Sequence, residues 1–192
     1  DLNVDGFSDV IVGAFLYDNG ETNEGRVFVY YGSVSGLSAA VNWTAESEMA
    51  DSYFGYSVST AGDVNNDGFS DLIIGAYHFT NGQTTEGKAF VYYGSTNQIS
   101  LHPDWTGICD QEYARYGFSV SGAGDVNNDG FDDVIISAPT YSNGQYDVGK
   151  VFVYHGSQFG LSQTAQWSSW GGAGNTYGYR VSEAGDVNND GY

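Results

Sequence analysis

Short apolar runs recur along the chain at two kinds of position, each bounded by glycine, asparagine or aspartate. The first kind is Val10 to Val12, Leu72 to Ile74 and Val134 to Ile136; the second is Val27-Phe28-Val29-Tyr30-Tyr31, Ala89 to Tyr93 and Val151 to His155. Neither kind alternates apolar with polar residues. Runs that are apolar at successive positions, too short for a helix and enclosed by turn residues, predict strands buried on both faces. Two weaker segments accompany each pair. One is short and glycine-containing (Phe54–Val58, Tyr116–Val120, Tyr177–Val181), which suits a place where backbones approach closely. The other is a looser stretch ending at a tryptophan, as in Leu37 to Trp43.

These four strand signals repeat as a block. Asp1-Leu2-Asn3-Val4-Asp5-Gly6-Phe7-Ser8-Asp9 returns at Asp63 and again at Asp125, a step of 62 residues each time, and a fourth copy opens at Asp186 after 61. Trp43, Trp105 and Trp167 keep the period, as do Gly32, Gly94 and Gly156. Self-similarity of this length marks a repeat architecture. Four antiparallel strands per unit, covered on both faces by neighbouring units, predict an all-β fold of β-propeller blades; a β-solenoid is the rival, with shorter rungs and parallel strands. The whole of 1–192 reads as one propeller segment, with repeats near 1–62, 63–124 and 125–185 and a partial copy at 186–192. Three blades do not close a ring, since propellers need about four to eight. Residues 1–43 lack a first strand and residues 177–192 supply one without its blade. The expectation is therefore a piece of a larger ring or a homo-oligomer whose copies complete each other.

Composition supports this and adds a charge problem. Twenty-eight glycines, 16 tyrosines and 11 phenylalanines stand against 2 prolines and 1 methionine, favouring short strands and tight turns. Formal net charge is −19, which opposes unaided binding to nucleic acid or to an anionic membrane surface. No run of 18 apolar residues appears, so direct membrane insertion is not expected. Cys109 is the sole cysteine, so no intrachain disulfide forms. A reduced cytosol would explain that; the preferred reading is an extracellular or cell-surface protein stabilised by Ca²⁺.

The repeated Asp loop motivates the cation. In Asp-x-Asn-x-Asp-Gly-x-x-Asp, side chains at positions 1, 3 and 5 point into a tightly curved loop and glycine at position 6 permits the turn that returns position 9. Oxygen donors without thiolate or imidazole select a hard cation, and a flexible carboxylate loop favours Ca²⁺ over Mg²⁺. The assigned ligands are Asp1, Asn3, Asp5 and Asp9 with the carbonyl of Phe7; Asp63, Asn65, Asp67 and Asp71 with Phe69; and Asp125, Asn127, Asp129 and Asp133 with Phe131. Asp186, Asn188 and Asp190 begin a fourth loop without its closing aspartate. An EF-hand is excluded, because Val12, Ile74 and Ile136 stand where its bidentate glutamate would be.

These motifs resemble the FG-GAP repeats of the integrin α-subunit β-propeller. Phe54-Gly55 matches the first element, Gly75-Ala76-Tyr77 and Ser137-Ala138-Pro139 approximate the second, and the Asp loop lies between them, where that family places its calcium. Tyr116 and Tyr177 depart from the family's phenylalanine. The resemblance implies a Ca²⁺-stiffened ring whose loops bind a protein or glycan partner in adhesion or recognition, and it does not imply an enzyme. A purely architectural segment attached to an enzyme is the alternative, and a carboxylate-based hydrolase the weakest reading.

Few other residues carry chemistry. Arg26, Lys88 and Lys150 share one repeat position and are expected to lie over aromatic surface. The periodic tryptophans are expected between blades. His78, His102 and His155 share no repeat position and adjoin no nucleophile. Recognition is assigned to the loops opposite the metal: Phe15–Glu24, Tyr77–Glu86 and Pro139–Asp147, with Ala45–Tyr53, Gly107–Arg115 and Ser169–Thr176 between blades; Tyr17, Tyr141 and Trp170 are the candidate stacking residues. Asn42-Trp43-Thr44 formally fits a glycosylation acceptor.

Overall fold

The computed structural model describes residues 1–96 and 98–185, and within them every regular element is a strand. Eleven strands form three antiparallel meanders. The first sheet holds β1 (Val10–Ala14), β2 (Arg26–Tyr30) and β3 (Trp43–Glu46); the second β4 (Ser57–Gly62), β5 (Asp71–Ala76), β6 (Lys88–Tyr92) and β7 (Trp105–Gly107); the third β8 (Val120–Gly124), β9 (Asp133–Ala138), β10 (Lys150–Tyr154) and β11 (Trp167–Trp170). They are propeller blades standing side by side without closing into a ring.

The continuous apolar runs are explained by what covers each face. Leu72, Ile74, Phe90 and Tyr92 pack towards the first sheet, against Val27, Val29, Trp43 and Phe54. Ile73, Ala89 and Val91 face the other way, into a cluster with Tyr116, Val134, Ile136 and Phe152. Every residue of β5 is buried, whereas β1, which has no inner strand beside it, leaves Val10 41% and Val12 44% exposed. Trp43 and Trp105 bridge sheets as expected. Each indole N–H donates to a carbonyl of the next blade, Ser100 at 3.1 Å and Ser162 at 2.9 Å, and each ring meets a tyrosine edge-on, Tyr92 or Tyr154 at 5.1 Å. Trp167, with no following blade over it, is 50% exposed against 3% for Trp105.

Two strand assignments shift. The inner strands begin at Ser57 and Val120, not at Phe54 and Tyr116, because Gly55 and Gly117 take φ of +81° and +80° and turn the chain before it can extend. That turn is where backbones crowd. A Cβ on Gly13 would lie 1.9 Å from the carbonyl oxygen of Gly55, and one on Gly75 the same distance from that of Gly117. Residues 177–181 form no strand, although Val181 N–H donates to Ser119 Oγ at 3.1 Å, as Val120 N–H does to Ser57 Oγ at 3.0 Å. The fourth strand starts at the tryptophan instead of ending there, since Asn42, Asp104 and Gln166 precede it as turn residues: their side-chain oxygens accept the N–H of Tyr31, Tyr93 and His155. The glycosylation-like asparagine thus does the same work as an aspartate and a glutamine in the other repeats.

Candidate metal centres

The second and third Asp loops each leave an inner strand and enter the buried strand beside it, and the first leads into β1. In the two sheets with an inner strand, a β-bulge between Thr60 and Gly62, or Gly122 and Gly124, ends the pairing just before the loop. The chain then turns through left-handed backbone at Val4, Asn66 and Asn128, with φ of 55°, 55° and 57°, and at the glycines that follow two residues later. Asparagine tolerates this conformation and valine strains in it.

Position 1 organises the loop. Asp63 accepts the N–H of Asp67 at 3.0 Å on one oxygen and of Gly68 at 2.8 Å on the other, and Asp1 and Asp125 hold Asp5, Gly6, Asp129 and Gly130 in the same way. Position 5 accepts the N–H of position 7: Asp5 from Phe7, Asp67 from Phe69, Asp129 from Phe131. Asn3 and Asn65 touch their neighbouring aspartates through Nδ2, whereas Asn127 turns to His155 Nδ1 at 2.9 Å. Positions 1, 3 and 5 are therefore gathered on one curve in the first two loops, and less completely in the third.

Position 9 accepts backbone amides on both oxygens. One oxygen of Asp71 accepts Val64 N–H at 3.0 Å and the other Gly94 N–H at 3.0 Å; Asp133 binds Val126 and Gly156, and Asp9 binds Leu2 and Gly32, in the same pattern. These carboxylates fasten the Asp loop to the turn that follows the strand ending at Tyr30, Tyr92 or Tyr154. Asp71 and Asp133 are fully buried, and burial, reinforced by Asp67 and Asp63, pushes the Asp71 carboxyl up to about 7. Asp133 is raised for the same leading reason, with Asp129 adding to it. Among the described residues no three acidic, histidine or cysteine side chains converge on one point. Asp186, Asn188 and Asp190 lie outside the described residues.

The loops nevertheless suit a hard cation. Their donors are all oxygen, and each carboxylate oxygen that accepts one N–H keeps lone-pair capacity for a second partner. A buried, doubly bonded carboxylate beside two further acids is also the arrangement that a divalent cation relieves.

The predicted recognition residues are largely spoken for. Arg26 lies over Tyr17 at 5.3 Å, and Lys150 over Tyr141 at 5.0 Å and Trp170 at 5.3 Å, so the three aromatics serve as platforms for the chain's own cations. At the end opposite the Asp loops lies a cavity of about 480 Å³, lined by His78, Tyr113, Arg115, Thr140, Tyr146 and Asp147 among others. Tyr146 is 90% exposed there and Tyr113 57%. Both fall within the loops singled out from sequence; their exposure depends on which loop residues find a cation to cover, and no local pattern encodes that. Burial pushes the Cys109 thiol up to about 12, which disfavours the thiolate form.

Comparison with known proteins agrees with the architecture. The FG-GAP repeat family matches residues 54–92 and 116–154. The chain is 35% identical over 204 residues to integrin alpha-5 of Xenopus laevis, which covers all of the chain and 18% of that protein. It is 35% identical over 151 residues to integrin alpha-7 of Mus musculus, covering 76% of the chain and 12% of the relative. It is also 33% identical over 165 residues to phosphatidylinositol-glycan-specific phospholipase D of Rattus norvegicus, covering 81% of the chain and 19% of the relative. The chain thus spans less than a fifth of the length of these relatives. Matched repeats, blade-like sheets and Asp loops in register together place the chain in the FG-GAP repeat family.

Proposed function

We propose that this chain is a calcium-stabilised, extracellular or cell-surface propeller segment that recognises a protein or glycan partner and has no catalytic role. The observation that carries the calcium reading is the buried Asp71 carboxylate, held by two amides at the back of an all-oxygen loop that recurs in register. Asp63, Asn65, Asp67 and Asp71 with the Phe69 carbonyl would hold the ion in the second loop, and the corresponding residues in the first and third; bound Ca²⁺ would supply positive charge that neutralises the loop and fixes its curvature. Calcium is scarce in cytosol and about millimolar outside, where sites of modest affinity fill. Recognition belongs to the opposite end, around Tyr113, Arg115 and Tyr146. Chelation should lower the melting temperature and readdition of Ca²⁺ restore it, with Mg²⁺ less effective. An unchanged melting curve would refute the calcium reading.

A second, architectural reading is favoured by the exposed β1 edge and the half-exposed Trp167. Both surfaces are those that an adjoining blade covers in the middle sheet. Closed oligomers in solution, together with an empty protein and glycan binding screen, would favour this reading.

A further inference from the structure

We propose that Asp132 couples the metal loops of the second and third sheets, so that a cation in one favours a cation in the other; this rests on the calcium reading above. Asp132 is position 8 of the third loop, where the first two loops carry Ser8 and Ser70. Its side chain leaves its own loop and crosses to the neighbouring blade. Asp63 N–H donates to Asp132 Oδ2 at 2.8 Å, and Asp132 N–H donates to the Asp63 carbonyl at 3.1 Å. Asp63 is the residue whose two carboxylate oxygens shape the second loop. A third link, Ser157 N–H to the Val64 carbonyl at 3.1 Å, runs beside this pair, and Gly156, preceding Ser157, is held by Asp133 of the third loop.

The space for this crossing is built in. Gly62 has a φ of +78°, and a Cβ there would lie 2.3 Å from Asp132 Oδ2. Among the described residues no hydrogen bond joins Ser70 to Asp1 at the corresponding place between the first and second sheets. Asp132 is flanked by Phe131 and Asp133, both assigned ligands of the third loop. Filling that loop fixes the backbone on either side of Asp132, and the fixed residue grips Asp63 through both its amide and its carbonyl. Order imposed at one loop then need not be imposed again at the next, and the effect is reciprocal. Asp132 is accordingly a positioning residue, not a ligand.

A calcium titration of the metal-free chain, followed residue by residue by NMR, tests the coupling. The Gly68 amide reports the second loop, Gly130 the third and Gly6 the first. Asp129→Ala, which disables the third loop, should raise the calcium concentration for half-saturation at Gly68 by about fivefold or more, the lower range of typical coupling. In an Asp132→Ser background, the residue already present in the other loops, the same substitution should shift Gly68 by less than about twofold. Gly6 should be unaffected throughout, and Asp129→Asn replaces Asp129→Ala if the latter does not fold. Equal shifts with and without Asp132, or none in either, overturn the coupling. Absence of any saturable calcium response in the unmodified chain overturns the calcium reading and the coupling together.

Discussion

Asp71 makes the metal-free protein titrate in an unusual direction. Its carboxyl is raised from 3.8 to about 7 in the folded state, chiefly by burial, whereas the unfolded chain exposes an ordinary aspartate. The folded state therefore holds a proton that the unfolded state releases. The stability this contributes is fully present below the unfolded value and is lost as pH rises through about 7. Between pH 5 and pH 7 the metal-free chain should lose about 2 kcal/mol from this residue alone, which for a chain of this size is about 4–8 °C in melting temperature. With Ca²⁺ bound the slope should vanish or reverse, because acid then protonates the ligands and releases the ion. Thermal melts at pH 5, 6 and 7, with chelator and with saturating calcium, measure both slopes. General repulsion among the acidic residues also favours lower pH, so the diagnostic control is Asp71→Asn. This substitution cannot titrate and leaves one of the two amides facing a donor, so it should lower stability at pH 5 while flattening the metal-free slope by about 2 kcal/mol. Equal slopes in the two proteins would refute the burial account.

Three further outcomes are expected. Trp105→Ala should cost about 3–5 kcal/mol in chemical denaturation, because the indole fills the space between two sheets, and Trp167→Ala about 0.5 kcal/mol or less. Gly75→Ala should destabilise by at least about 3 kcal/mol, since its Cβ would meet the Gly117 carbonyl, while Gly82→Ala, in open space at a φ of +100°, should cost about 1–2 kcal/mol. Tyr146→Ala and Arg115→Ala should leave the melting temperature unchanged but weaken a hit from a protein or glycan array; a hit that both variants retain would move recognition away from this cavity.

The strands were legible where a residue's surroundings follow from its own neighbourhood. A run such as Leu72-Ile73-Ile74 has no polar member to face solvent, so both sides must be covered, and one apolar cluster lies on each side. The period alone then ordered the sheets. Legibility failed where a distant contact decides. Phe54 and Tyr116 look strand-like, yet the close passage of Gly55 past Gly13 and of Gly117 past Gly75 bends the chain first. The Asp loops were recognisable by spacing, but the second partner of Asp71, Gly94, lies on a turn that joins two later strands. Likewise Tyr17 and Tyr141 read as exposed aromatics until Arg26 and Lys150, on adjacent strands, cover them.

Counted from one Asp loop to the next, the sequence repeat and the sheet are out of phase. In the second and third sheets the Asp loop follows the inner strand and precedes the other three. A boundary drawn at the Asp loop therefore falls inside a blade, whereas one drawn ahead of Phe54 keeps β4 to β7 together. An array of this kind can lengthen or shorten by whole repeats while every internal junction stays identical, because each new joint is made by strand pairing already present elsewhere in the molecule. A repeat excised at the Asp loop thus loses its inner strand to its neighbour, while one excised ahead of Phe54 carries a finished four-stranded sheet.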